Sequence, residues 1–328
     1  MKRYKIFLCA IFAAIFLFTG NVSAAESANE MLTKIEITTY GREQTGALID
    51  RLNKLEKNYS GKNLEGNLNT RLQALYAIIY ENSGSPSILA KINALEWNLN
   101  HAVEIDGLDS RIANLENSIL GKVNEGNFIY RLRELSKESF GSEDVPLVEM
   151  QLPADTVIKA ELIDAVDTRT AQVGDTINFR VAEDVIIDGY LIFAKGLHGQ
   201  GTASVVDKAT GWGKNGKLVI DNLKVQVIDG QQVETYVGYE SESIMKENKM
   251  VSGAALFGIN LKSQWDKVMV HGKNLEIPAG TEFFLQTKSD TAIYALKGGR
   301  GSVAIENDDV VEEYDTYEEE LPDYDVIN

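Results

Sequence analysis

The chain has 328 residues, of which 49 are acidic and 32 basic, for a net charge of −17 at neutral pH. That balance repels nucleic acid and anionic lipid, so neither is an expected partner. About 300 residues are enough for two domains, each with its own core.

The N-terminus reads as an export signal. Lys2, Arg3 and Lys5 precede an apolar run from Ile6 to Phe18, and Val22-Ser23-Ala24 supplies the small residues of a cleavage point. This order predicts a signal peptide over 1–24. The apolar run falls short of the roughly 20 residues that span a bilayer. Leu17-Phe18-Thr19-Gly20 leads into Asn21 rather than cysteine, which closes the lipoprotein route. The one cysteine, Cys9, lies within the signal and leaves with it. A thiol-free product has no disulfide, no sulfur-ligated zinc and no cysteine nucleophile. Loss of the three bases takes the net charge to about −20. No later stretch reaches the apolar length of a membrane span, so the expected product is exported, periplasmic or envelope-associated, and not an integral membrane protein.

A repeat of twenty residues follows. Ile35, Leu55, Leu75, Leu95, Leu115 and Leu135 form one column, and Glu36, Glu56, Glu96 and Glu116 follow four of them. A base column runs through Arg51, Arg71, Lys91, Arg111 and Arg131, each followed by an aliphatic residue: Leu52, Leu72, Ile92, Ile112 and Leu132. Within one unit, Leu48, Leu52, Leu55 and Tyr59 make a helical stripe. Gly61 sits where a left-handed cap belongs and Gly66 opens the next unit; Gly41 with Gly46 and Gly121 with Gly126 repeat the pair. Each unit is therefore a helix of about thirteen residues and a short turn. Along one continuous helix, twenty residues would rotate the stripe by about 200° beyond whole turns, which no heptad seam does. Broken helices covering one another's apolar faces fit instead. At Ser83 to Pro86 and Asn100 to Gly107 the glycine pattern lapses, and an unbroken helix across one of these junctions stays open. The Arg and Glu columns read as a solvated ion-pair face. The Gly-x-x-x-x-Gly spacing lacks the Lys-Ser/Thr of a phosphate loop, since Asn67-Leu68 follows Gly66.

Residues 142–146 are polar, end in Pro146 and read as a linker. Beyond them the period becomes two: Ile158, Ala160, Leu162; Ile177, Phe179, Val181; then Leu218, Ile220, Leu223, Val225, Val227. Asp188-Gly189 and Asp229-Gly230 lie between apolar runs as tight turns. Leu152-Pro153-Ala154-Asp155-Thr156 resembles Ile277-Pro278-Ala279-Gly280-Thr281, with Ile192-Phe193-Ala194-Lys195-Gly196 a looser copy. These signals predict an all-β barrel- or sandwich-like domain over 147–305. Between Ser241 and Gln264 the strand pattern lapses into a loop or short helix.

Chemistry is sparse. His101, His198 and His271 stand singly, the last two each followed by glycine as in a turn, and no pair has metal-ligand spacing. Ser243-Ile244-Met245-Lys246 matches Ser-x-x-Lys, but its companion motif is missing, since Thr291 follows Ser289-Asp290. No catalytic residue, metal or cofactor is assigned. The best contact candidates are Trp212, Lys214 and Asn215 in Gly211-Trp212-Gly213-Lys214-Asn215-Gly216, where the indole would stack on a sugar ring or fold over the barrel end. Trp97 reads as packing within the repeats and Trp265 as packing near a strand start. From Glu306 to Asn328 there are eleven acidic residues and no base. That composition predicts a disordered acidic tail over 306–328.

The unit from Gly-x-Leu through Arg-Leu and Leu-Glu to an aromatic and Gly, seen over Gly46 to Gly61 and Gly126 to Gly141, resembles short repeats in envelope proteins of diderm Firmicutes and cyanobacteria. The second stretch departs from the pattern with Leu135-Ser136. The β half is similar to uncharacterised exported bacterial domains that open on Leu-Pro-Ala-x-Thr and contain Gly-Asp, here Gly174-Asp175. The resemblance implies an envelope setting without catalytic residues. The expected architecture is an α+β multidomain chain, with helical repeats over 30–141 ahead of the β domain. The expected role is a scaffold or adaptor that binds an envelope protein or cell-wall component, with the repeats docking or forming a homo-oligomer. A carbohydrate-binding module is the alternative, and a hydrolase stands third.

Overall fold

The computed structural model describes residues 27–210, 214–259 and 272–298. The predicted signal peptide, the acidic tail, Trp212, Trp265 and His271 lie outside the described residues.

Six helices of 13 residues follow one another at the period read from the sequence: α1 Ala28–Tyr40, α2 Leu48–Ser60, α3 Leu68–Tyr80, α4 Ile88–Asn100, α5 Leu108–Leu120 and α6 Phe128–Phe140. Gly41, Gly61, Gly121 and Gly141 end four of them in the left-handed conformation, at φ 71–78°. A residue without Cβ takes that conformation at little cost, which is why the helices stop there. The two irregular junctions are also broken. His101 takes the left-handed cap after α4, and α3 ends in extended backbone at Glu81.

The helices do not form an open row. They pack as two triads, α1-α2-α3 and α4-α5-α6, and the triads meet where α1 lies against α5, α2 against α6 and α3 against α4. The fifth unit has thus returned onto the first. Gly107 marks this contact: a Cβ there would lie 2.6 Å from Gly41 N, 2.8 Å from Tyr40 C and 2.9 Å from Thr39 O. All three are backbone atoms with little room to yield. Gly107→Ala is therefore expected to destabilise by about 1–3 kcal/mol through overpacking. Gly121→Ala, with nothing within 4 Å of the added Cβ, meets only its left-handed φ and is expected to cost about 1–2 kcal/mol. Urea unfolding of both variants checks the order. At the neighbouring contact between the triads, the Tyr59 and Phe128 rings join α2 to α6 edge-to-face at 5.0 Å.

The β part starts after a short connection in which Val145 is buried. Its strands are β1 Leu147–Leu152, β2 Val157–Leu162, β3 Val166–Asp167, β4 Thr176–Val181, β5 Val185–Ile187, β6 Tyr190–Phe193, β7 His198–Asp207, β8 Lys217–Gln226, β9 Gln232–Tyr236, β10 Glu276–Ile277, β11 Glu282–Thr287 and β12 Thr291–Lys297. Six of them close a barrel in the order β11-β2-β4-β7-β8-β9. A four-stranded sheet, β1-β12-β6-β5, stands beside it, and β3 pairs with β10. The alternating residues Ile158, Ala160, Leu162, Ile177, Phe179 and Val181 are buried as their period requires.

Two of the three similar turns share a backbone device: Asp155 and Gly280, the fourth residue of each, have φ of 61° and 73°, whereas in the looser copy the positive φ falls one residue later, at Gly196. Asp188-Gly189 is a two-residue hairpin between β5 and β6 with both φ positive, the geometry that matches strand twist. In β8 the inward step lengthens from two residues to three between Ile220 and Leu223, where Asn222 adopts φ 52° and the β7 register shifts. The region where strand pattern lapsed forms α7 Tyr239–Glu247 and α8 Val251–Ala255, both packed against β11.

Candidate functional site

The charged columns are not a solvated face; burial corrects that expectation. Each Glu lies mid-helix and the Arg fifteen residues on lies in the first turn of the next helix. In every case the guanidinium meets the carboxylate with two parallel bonds. Arg51 donates to Glu36 through Nε at 2.8 Å and Nη2 at 2.5 Å. Arg71 holds Glu56 at 2.9 and 2.5 Å, Arg111 holds Glu96 at 2.8 and 2.7 Å, and Arg131 holds Glu116 at 2.9 and 2.7 Å. The acid side chains are 0–3% exposed and the bases 5–12%. Glu36, Glu96 and Glu116 also accept the backbone N–H of Gln44, Glu104 and Asn124, eight residues on. One carboxylate thus ties its own helix to the following loop and the following helix. Bidentate pairing with the remaining lone pairs filled is the arrangement in which a buried ion pair is tolerated.

The ladder is interrupted once, on both sides together. Tyr76 stands in the Glu column where Lys91 stands in the Arg column. Tyr76 instead accepts Lys34 Nζ from α1 at 2.9 Å, with the same ammonium 4.8 Å from its ring centroid. Lys91 is half-buried, and burial pushes its pKa down against the opposing pull of Asp144. At the ends, Met31 occupies the first base position and Ser136 the last acid position. Neither end carries an unpaired charge, although the Ser136 hydroxyl is buried without a hydrogen-bond partner.

The interruption adjoins the helix that meets the barrel. Helix α4 is buried from Ile88 to Ala90 and from Ile92 to Trp97. Where α2 has Asp50, Lys54 and Lys57, α4 has Ala90, Ala94 and Trp97, a second apolar face at helical spacing. Asn93 uses both ends of its amide: Oδ1 accepts Arg111 at 2.7 Å and Nδ2 donates to Ile228 O at 3.0 Å. Trp97 Nε1 donates to Asp184 at 2.8 Å, so this ring packs against the β part as well as within the repeats. Asp184 also accepts Lys195 N, and Val103 N donates to Lys195 O. At Gly196 a Cβ would collide with Val103 O, and at Gly230 with the Leu89 side chain.

Asp229 sits beneath this junction. Its carboxylate accepts Tyr294 N, Gln231 N and Gln231 Nε2, while its carbonyl accepts Asn82 Nδ2 at 3.1 Å. Burial raises its pKa despite those donors. The folded state therefore keeps this proton to higher pH than the unfolded chain does. The group's contribution is full below the unfolded value of about 3.9 and is lost as pH rises through the elevated folded value. Urea midpoints of the wild type and Asp229→Asn, compared from pH 3 to 7, should show the wild type's relative stability falling with pH; a flat difference would contradict the shift.

Of the predicted contact residues, Trp212 lies outside the described residues. Lys214 pairs with Asp207 at 3.3 Å, and Asn215 Oδ1 accepts Lys273 N at 3.1 Å. The two polar neighbours thus pin their loop to other parts of the chain. His198 opens strand β7 rather than a turn, half-buried, with its pKa lowered by burial. The Ser-x-x-Lys stretch lies on α7, where Lys246 pairs with Glu242 and Met245 is buried. Among the described residues no helix is long and apolar enough to cross a membrane, and no group of three or more His, Cys, Asp or Glu is placed to hold a metal ion.

No family model and no curated protein matches the chain. A solved structure, ComB10 of the Com type IV secretion system of Helicobacter pylori, is similar over 43% of this chain and 88% of its own, at 15% identity and a TM-score of 0.25. Similarity at that level assigns no role. The chain presents two stacked triads of helices, stapled by four buried ion pairs and seated on a barrel through α4.

Proposed function

We propose that the protein is a non-catalytic scaffold or adaptor of the cell envelope, exported and acting by binding an envelope protein or wall component. The observation that carries this is the use of the repeat's charged columns. Eight Arg and Glu side chains, the chemistry-bearing positions of the repeat, are spent on holding helix to helix. The outer helix surface is left as the presented part, with Ile37, Ile49 and Tyr130 exposed by 51%, 44% and 52%. Repeat arrays with rigid inner faces display such outer faces to macromolecular partners. Since Met31 and Ser136 remove the charges at both ends of the ladder, binding through the flanks is favoured over head-to-tail stacking of copies.

A photo-crosslinking residue placed at Ile37 or Tyr130 in the native cell tests this. A reproducible adduct from one or both positions, absent from an exposed barrel position such as Val173, is expected. Adducts from neither helical position would overturn the reading. The carbohydrate-binding alternative rests on Trp212, with Lys214 and Asn215 fixing the base of its loop. Retention on purified peptidoglycan that disappears in Trp212→Ala would favour it, and unchanged retention would remove it.

A further inference from the structure

A cleft of about 480 Å³ lies where the end of α3 faces β1 and β12. Tyr80, Glu81 and Ser83 line it from the repeats, and Glu149, Gln231 and Tyr294 from the β part. Its size falls in the roughly 300–1,000 Å³ range of small-molecule sites, which gather where two parts of a protein meet.

Both rings are held in place before anything binds. Tyr80 donates its hydroxyl to Thr38 Oγ1 at 2.6 Å, and Tyr294 donates to Glu149 Oε1 at 2.8 Å. The buried Asp229 carboxylate fixes Tyr294 N at 2.8 Å and Gln231 Nε2 at 2.9 Å. The polar groups of the lining divide unevenly. Besides the two tyrosine hydroxyls, Asn82 Nδ2 is engaged by Asp229 O, and Gln231 Nε2 by Asp229 and Ala292 O. The side-chain donors are thus turned into the protein, apart from the Ser83 hydroxyl, which can serve either way. The side-chain groups left without a partner among the described residues are acceptors: Gln231 Oε1, the second Glu149 oxygen and the Glu81 carboxylate. A ligand that fits brings donors along its edge, an apolar face for the rings and no negative charge.

We propose that this cleft binds a neutral saccharide, with a C–H face of the sugar on Tyr80 and Tyr294 and its hydroxyls donating to Gln231, Glu149 and Glu81. A basic side chain of a partner protein also offers donors. The Tyr80 ring, however, already carries the Lys34 ammonium 5.3 Å from its centroid, and a second cation there meets like charge. The acceptors also come from separate stretches of chain, which suits hydroxyls spread around a ring better than one point charge. This deepens the adaptor reading, on which it rests, by naming the class of wall component held. The site is separate from the Trp212 loop, and the Ile37 and Tyr130 crosslinks report on the helices whichever way a sugar titration falls.

The probes are chitotriose, cellotriose and maltotriose, neutral trimers that differ in linkage and substituent, each titrated into the full chain and followed by saturation-transfer NMR. At least one is expected to bind at about millimolar concentration, with transfer strongest to its ring C–H protons. Tyr294→Leu, which keeps apolar bulk and removes the ring, is expected to weaken that sugar about tenfold. Ala292→Arg, at an exposed position of β12 in the lining, fills the cleft and is expected to abolish binding with the thermal midpoint retained. Trp212→Ala should leave the affinity unchanged. Binding of none of the trimers, binding that survives Ala292→Arg, binding lost in Trp212→Ala, or displacement of the sugar by an equal concentration of acetyl-arginine amide would each overturn the proposal.

Discussion

Glu116→Ala is expected to lower the stability of the protein by about 3–5 kcal/mol, the cost of leaving a buried guanidinium without its partner. Arg131 is 6% exposed and loses both of its short bonds, while the Asn124 amide loses its acceptor. The nearest remaining carboxylate, Asp109, is 3.8 Å from the guanidinium and more than half exposed, so it offers weak compensation. Replacing the pair together, Glu116→Leu with Arg131→Met, should recover most of the loss, because two desolvated charges are then removed at once. Glu234→Ala is the control. Glu234 and Lys288 form an ion pair at 3.0 Å with 60% and 63% of their side chains exposed, and such a pair contributes about 1 kcal/mol or less. Urea denaturation at constant slope reads all three. A loss at Glu116 no larger than that at Glu234 would mean that the ladder is a surface feature after all.

Trp97→Ala is the second large effect. The indole is 5% exposed, lies edge-on to His101 at 5.4 Å and donates to Asp184. Truncating a ring so enclosed costs about 3–5 kcal/mol. The same change withdraws the donor from Asp184, the carboxylate that also holds Lys195 N at the turn carrying Gly196. The expected result goes beyond a lower midpoint. Helical signal in the far ultraviolet and tertiary signal in the barrel should unfold together in the wild type and separately in Trp97→Ala. Coincident transitions in the variant would show that this junction does not couple the two parts.

Much of this architecture was legible in the residues. The twenty-residue period, the stripe through Leu48, Leu52, Leu55 and Tyr59, and the capping glycines give six helices, because each signal is local to one turn of chain. The odd step from Ile220 to Leu223 contains the β8 bulge, and the positive φ at Asp155 and Gly280 falls at the same position of the two Pro-Ala turns. The depth of the charged columns was not legible. Glu56 and Arg71 lie on different helices, and a period carries no information on which side of a helix another helix will cover. The return of α5 onto α1 had one trace, Gly107, where other units start on Ala47, Asn67, Ser87 or Asn127. Likewise, Ala90, Ala94 and Trp97 form a second apolar face that a single helix buried in one neighbour does not need.

Native-state hydrogen exchange on the α4 amides from Ile92 to Leu95 tests most directly whether the repeats and the barrel form one body. These amides should open with the same free energy and denaturant dependence as those of β7 and β8. Exchange at a distinctly lower free energy, shared with α1 to α3 and independent of the barrel strands, would contradict the account.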